Sequence, residues 1–295
     1  MSAGHRVSAA SGWRWVACGW TIYLASPGMW LVLAAAFTAV MLVLSMIPLV
    51  GGLAVSLLAP VLAAGLLFGA AQLQAGRRLR LGHLVQGFVD GAALPRLLGL
   101  GVTAMAVNLA AGVALLIWLA MTLAPLLYMP IEPAGVEAVL IGRLAGLAVI
   151  AIVLLTAYLL LGCALAYAVP LVLFRGTAVL AAMRSSIGAC LRNWLAWIVA
   201  SLVLLLVLAV LAVALFAVVH SVMPLNIGQI DWPPPTDPLA LLDALPVRFL
   251  AVPVLVGVGA QSLFAPLVVA VLYCSFLDVY RDVDAAPGSM PGQED

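Results

Sequence analysis

The chain has 295 residues, 66% of them hydrophobic and only 8% charged, with a formal net charge of +1. Soluble domains carry about 25% charged residues and must cover themselves with polar groups, so this composition excludes a water-soluble fold and leaves the membrane class. A charge so near zero also offers no field to recruit nucleic acid.

Met1 to Ser11 is polar and small, with no short apolar core followed by a cleavage site. The first long apolar run is therefore expected to be a retained anchor. A helix needs about 20 apolar residues to cross a bilayer core. Six runs qualify: Met29–Val50, Leu53–Leu73, Leu97–Leu127, Val139–Phe174, Trp194–His220 and Phe249–Leu277. Helices alone satisfy their own backbone groups in lipid, so the expected fold is all-α, a polytopic bundle of about six spans. The third and fourth runs exceed one crossing and are expected to tilt, or to kink at Pro125 or Pro170.

The connections differ. Pro48, Gly51 and Gly52 predict a tight turn, and Pro130 and Pro133 a break. Ser221 to Val247 is the longest polar loop and contains the triplet Pro233, Pro234 and Pro235, which favours polyproline II geometry. Residues 282–295 read as a disordered tail rich in Pro and Gly. Residues 1–281 form a single membrane domain on this reading.

Arginine supplies every basic side chain apart from three histidines, and there is no lysine. That usage fits a GC-rich bacterial genome. With the N-terminus inside, Arg6, Arg14, Arg77, Arg78, Arg80, Arg96, Arg175, Arg184, Arg192 and Arg281 fall on the cytoplasmic side, against Arg143 and Arg248 opposite. This asymmetry predicts both termini in the cytoplasm of a bacterial inner membrane.

Three cytoplasmic segments resemble one another. In the middle one, Leu81, Leu84, Val85, Phe88, Val89 and Ala92 form an apolar stripe at helical spacing. Val179, Met183, Ile187, Cys190, Leu191 and Trp194 do so in the third, and Trp13, Val16, Ala17, Trp20 and Leu24 in the first. Trp20, Phe88 and Ile187 stand seven positions before Pro27, Pro95 and Trp194. The expectation is a threefold internal repeat of interfacial amphipathic helix plus hairpin, over residues 12–75, 81–174 and 176–281. Each such helix reads either as a partner-docking collar or as a connector whose apolar side avoids water.

Gly19-Trp20 with Ser26-Pro27-Gly28-Met29-Trp30, Ile47-Pro48-Leu49-Val50-Gly51-Gly52, Gly82 to Phe88 and Cys190 to Trp194 carry a resemblance. The chain resembles uncharacterised six-span bacterial inner-membrane proteins and, in pattern, the membrane anchor region of some glycerophosphodiester phosphodiesterases. The resemblance implies membrane location and topology. It implies no phosphodiesterase activity, because the sequence contains no catalytic domain of that kind.

No charged residue lies deep in a span, which argues against a carrier that relays protons through buried acids. Among mid-span polar residues, Asn108, Gln261 and Thr103 are the candidate intramembrane site. Each amide reads either as interhelical glue or as a substrate contact. Arg77, Arg78 and Arg80, beside His83, form a basic patch. It follows from the positive-inside rule and is also a candidate contact for anionic lipid headgroups. Gly65-x-x-x-Gly69 and Gly142-x-x-x-Gly146 offer faces for close helix packing. The four cysteines show no metal-ligand spacing and read as small packing residues. No catalytic, metal or nucleotide motif occurs, so no cofactor is expected and enzymatic activity ranks last among the function classes. Expected partners are the bilayer, anionic headgroups and a membrane protein. The function classes, in order, are a structural or partner- and lipid-interacting membrane protein, a channel or permease for a small neutral solute, and a lipid-acting enzyme.

Overall fold

Lipid offers no hydrogen-bond partner to a backbone N–H or C=O, so each apolar run must satisfy its own. In the computed structural model, residues 4–48, 50–128, 136–222 and 247–281 are described. The elements are α1 (Ser11–Leu24), α2 (Pro27–Ser45), α3 (Gly51–Gln74), a 3-10 turn (Leu81–Val85), α4 (Gln86–Val89), α5 (Leu94–Tyr128), α6 (Val136–Ala166), α7 (Ala168–Arg175), α8 (Val179–Arg192), α9 (Trp194–Val222) and α10 (Val247–Val279). The protein is all-α, and six of its helical stretches are long and apolar enough to cross a membrane. The Pro130 and Pro133 break, most of the loop before α10 and the tail 282–295 lie outside the described residues.

Sequence chemistry accounts for the punctuation. Pro27 opens α2 at its first turn, where a missing N–H costs nothing. The fourth run breaks at Tyr167, between α6 and α7. Pro170 cannot donate to the carbonyl four residues back, and its ring crowds that carbonyl, which belongs to the last residue of α6. Pro60 sits inside α3 without ending it.

The middle of the three similar segments departs from the predicted amphipathic helix. It is a 3-10 turn followed by a single turn of α-helix. Gly82, Gly87 and Gly91 weaken helix there. Asp90 then accepts the backbone N–H groups of Ala92 and Ala93 at 3.1 and 3.0 Å, capping the start of α5. Of its predicted stripe, Leu84 turns inward, while Leu81, Val85, Phe88 and Val89 are exposed.

Helices α3 and α10 form the centre, with 56% and 50% of their spanning windows buried, against 6% for the spans in α6 and α9. Burial concentrates next to the arginines. It takes in Trp30 and Leu33 on α2, Val61 to Ala70 on α3, Leu97 and Leu100 on α5, Tyr167 to Val172 around the α6–α7 break, Ala196 and Ala200 on α9, and Leu267 to Val279 on α10. Farther along, Val43, Leu116, Met121, Ile152 and Val213 are exposed. Burial is densest at the arginine-rich end and falls toward the other. Lipid tails are as apolar as leucine, so nothing draws the leucine-rich far halves together.

The three similar segments dock in a ring. α1 lies against α9 and α10, the 3-10 turn and α4 lie against α3 and α2, and α8 lies against α6 and α7. In the register that aligns Trp20, Phe88 and Ile187, the preceding residues are Gly19, Gly87 and Ser186, and all three are buried. A Cβ on Gly19 would fall 2.7 Å from the Val271 backbone nitrogen, and one on Gly87 2.4 Å from the Val61 oxygen. Ser186 accepts the Tyr167 backbone N–H at 2.9 Å and donates to the Cys163 carbonyl at 2.5 Å. A small residue at that position lets each segment touch the helix behind it.

The ring closes through the chain's two ends. His5 N donates to Val279 O at 2.7 Å. Buried Asn193 accepts from Val7 N at 2.8 Å and donates to His5 O at 2.9 Å. Trp15 Nε1 donates to Asp278 Oδ2 at 2.9 Å, and Cys18 is disulfide-bonded to Cys274 with their Cα atoms 6.2 Å apart. The reading of all four cysteines as packing residues thus misses a covalent link between α1 and α10. Around Tyr167, the rings of Trp15, Trp197 and Tyr280 pack at 5.5–5.8 Å.

Candidate functional site

Asn108 sits at a three-helix node. Its amide donates to Ser56 Oγ on α3 and to the Ala104 carbonyl on its own helix, both at 3.0 Å, and its Oδ1 accepts the Tyr158 hydroxyl of α6 at 2.8 Å. Ser56 in turn donates to Gly52 O at 2.7 Å. Both N–H groups of Asn108 and both hydroxyl protons are committed. What remains is lone pairs, which could receive a donor but have no proton to offer a carbonyl or an anion.

The node borders a chamber of about 490 Å³ between α2, α3, α5, α6, α7 and α10. Apart from Ser56 and Asn108, its wall is apolar, with Phe37, Leu67, Leu161, Leu165 and Leu272 among its residues. Two lipid-facing clefts flank the bundle. One of about 490 Å³ runs along α9 and α10 beneath the stacked rings of Trp20 and Tyr23. The other, of about 370 Å³, lies between α6, α8 and α9, with Tyr158, Trp194 and Trp197 in its wall. Cys190 also lines it, its thiol directed at the Cys163 carbonyl at 3.6 Å. Burial, and then the neighbouring Cys163, push the Cys190 thiol up to about 12. At neutral pH it is a protonated packing group and not a nucleophile.

The structure does not gather the three candidate intramembrane residues. Thr103 returns its hydroxyl to Gly99 O on its own helix at 3.1 Å. Gln261 is exposed on α10 and is not among the residues that line the chamber. Tyr158 is the partner that sequence reasoning missed, because fifty residues separate it from Asn108 and nothing local marks the pairing. Asn108→Ala is expected to lower stability by about 1–2 kcal/mol, and Tyr158→Phe by less, with clear coupling in a double-mutant cycle in detergent. Additive effects would show that the two side chains do not act as one node.

The glycine pairs divide. Gly65 meets the backbone of His83 and Leu84, and Gly69 meets Leu79, so this pair seats the 3-10 turn on α3. Gly146 faces Trp118, and Gly142 has nothing within 4 Å.

Arg77, Arg78 and Arg80 are brought together. α3 ends in a Schellman motif, with Gly76 at φ +71°, Gly76 N bonded to Leu73 O at 3.0 Å and Arg77 N to Gln72 O at 2.9 Å. The chain leaves this cap into a polar pocket of about 430 Å³ lined by Gln72, Gly76, Arg77, Arg78, Arg80 and His83. Arg77 donates to Gln72 Oε1 at 3.3 Å. His83 Nδ1 accepts the Arg80 backbone N–H at 3.3 Å, and its ring meets Phe68 edge-on at 5.4 Å. Partial burial, and then the Arg80 charge, hold His83 below its ordinary pKa. With Nδ1 accepting, the proton of the neutral ring sits on Nε2. Among the described residues, no three His, Cys, Asp or Glu side chains gather as metal ligands.

Compared with known protein families, curated proteins and solved structures, the chain matches none.

Proposed function

We propose that the protein is an integral membrane protein of the bacterial inner membrane, with both termini cytoplasmic, that holds lipid chains in and around its bundle and does not conduct a polar solute. The observation that carries this reading is the chamber beside Asn108. It is nearly all apolar, and the protons of its polar groups are already committed within the protein. A polar solute entering it would lose water and gain few partners, whereas an acyl chain loses nothing. The apolar clefts under Trp20 and beside Trp194 extend the same chemistry to the protein surface.

The orientation rests on the arginine asymmetry, ten residues against two. The repeat over residues 12–75, 81–174 and 176–281 is supported by the matched positions of Gly19, Gly87 and Ser186 and by the ring of docked segments. The resemblance to six-span bacterial membrane proteins and to the glycerophosphodiester phosphodiesterase anchor belongs to the same reading. Its partners are the bilayer, anionic headgroups and a membrane protein on the exposed apolar faces.

The more exposed far half of the bundle favours a second reading, a permease for a small neutral solute. One pair of measurements separates the two. Ala63 lines the chamber, and Ala63→Phe should fill it. The purified full chain is expected to retain lipid through detergent exchange, and the variant to retain less, by native mass spectrometry. Proteoliposomes should admit glycerol no faster than protein-free vesicles. Unchanged lipid retention together with fast, Ala63→Phe-sensitive glycerol entry would move the assignment to the permease.

A further inference from the structure

We propose that the arginine pocket at the end of α3 is a binding site for a phosphate group, presented as the headgroup of an anionic membrane lipid. The inference stands apart from the acyl-chain chamber, which lies on α3, α5 and α6 and shares no lining residue with this pocket.

The first argument is charge. Three guanidinium groups leave the chain within four residues and line one pocket with His83 and Gln72. Among the described residues, no carboxylate lines that pocket or bonds to these arginines. Like charges this close repel, and an anion relieves that repulsion.

The second argument is a contrast with four of the other arginines. Arg14 donates to Ser11 Oγ, Arg192 to Gly188 O, and Arg281 pairs with Asp278 at 3.3 Å. Arg175 donates to Tyr280 O and lies over the rings of Phe276 and Tyr280. Those four are used by the fold. The guanidinium groups of Arg78 and Arg80 have no bonding partner among the described residues. Nor do they serve the end of α3, because the Ala75, Gly76 and Arg77 N–H groups already occupy the Ala71, Leu73 and Gln72 carbonyls.

The third argument is donor geometry. The Schellman cap fixes the chain where the arginines begin, and Gln72 Oε1 holds one N–H of Arg77. His83 accepts at Nδ1, so its Nε2–H remains to donate. Guanidinium forks and a ring N–H match phosphate oxygens.

The source of the phosphate follows from the neighbouring surface. The 3-10 turn that brings His83 to the pocket, and α4 directly after it, expose Leu81, Val85, Phe88 and Val89. A phosphate that carries acyl chains can lie against that face, and a free ion gains nothing from it.

The test uses the purified full chain in dodecyl maltoside, titrated with dioctanoyl phosphatidic acid, dioctanoyl phosphatidylcholine and inorganic phosphate. Phosphatidic acid is expected to bind at least tenfold tighter than either of the others. Arg78→Gln with Arg80→Gln should weaken it at least tenfold. Arg6→Gln with Arg184→Gln, which removes the same charge from two exposed arginines elsewhere, should change it less than twofold. All four side chains are exposed, so the variants should fold, and a thermal-unfolding scan of each confirms it; Arg78→Gln alone serves if the double variant does not fold. Inorganic phosphate binding as tightly as phosphatidic acid, and lost in the pocket variant, would keep the phosphate site and overturn the lipid source. Equal losses in the two double variants would overturn the site, leaving only general surface charge. So would equal binding of phosphatidic acid and phosphatidylcholine.

Discussion

Gly101→Ala is expected to destabilise the purified protein by about 3 kcal/mol, while Gly112→Ala on the same helix changes stability by less than about 0.5 kcal/mol. The chemical change is identical, and the surroundings differ. A Cβ at Gly101 would fall 2.1 Å from the Leu57 carbonyl oxygen and 2.8 and 2.9 Å from the Leu57 carbonyl carbon and Cα. These are backbone atoms of α3, the most buried span, and they cannot swing aside as a side chain could. α5 would have to lift off α3, opening the crossing that Leu97, Leu100 and Val61 fill. Gly112 has nothing within 4 Å, so its new methyl meets only lipid. Denaturation midpoints in detergent for the two variants decide the matter. Equal midpoints would mean that α3 and α5 do not meet at Gly101.

The second large effect is at the seam between α1 and α10. Cys18→Ser with Cys274→Ser is expected to cost the air-oxidised protein about 2–4 kcal/mol, and reductant should lower the wild-type midpoint to the same value. Alkylation without reduction should label two cysteines in the denatured chain, Cys163 and Cys190, and all four after reduction. The seam also holds Trp15 on Asp278 and Gly19 on Val271, so the double serine variant should still fold. This bond bears on orientation as well. It lies at the arginine-rich end, and cytosolic thiol buffers keep such pairs reduced. With that end in the cytoplasm, acid-quenched cells should yield Cys18 and Cys274 as free thiols that oxidise after purification. A bond already formed in the quenched cells would place the arginine-rich end in an oxidising compartment and reverse the proposed topology.

The pairings at Asn108 and at the arginine pocket differ in how far sequence could reach them. Arg77, Arg78 and Arg80 are adjacent in the chain, and Gly76 before them marks a helix end, so local reasoning located the patch. His83 was already beside it in the sequence, and Gln72 joined it because the chain turns back on the end of α3, so that Arg77 meets the last turn of that helix. At Asn108, local reasoning stopped at the observation that a buried amide needs a partner. Ser56 and Tyr158 come from spans about fifty residues away on either side. Thr103 and Gln261 looked equivalent to Asn108 by hydropathy, yet one bonds to its own helix and the other is exposed.

By itself, the sequence determined that this is an all-helical membrane protein with six spans, roughly where those spans lie, and which ends collect arginine. Those properties depend on run length, proline, glycine and charge, which act within a few residues. The tertiary structure alone decided which helix lies against which, that α1 reaches across to α10 through Cys18 and Cys274, and that burial is densest at the arginine-rich end. In a bilayer nearly every face of these helices is apolar, so hydrophobic periodicity cannot name the buried side. The choice falls to small residues such as Gly19, Gly87 and Gly101 that let backbones meet, and to a few polar side chains whose partners lie far along the chain.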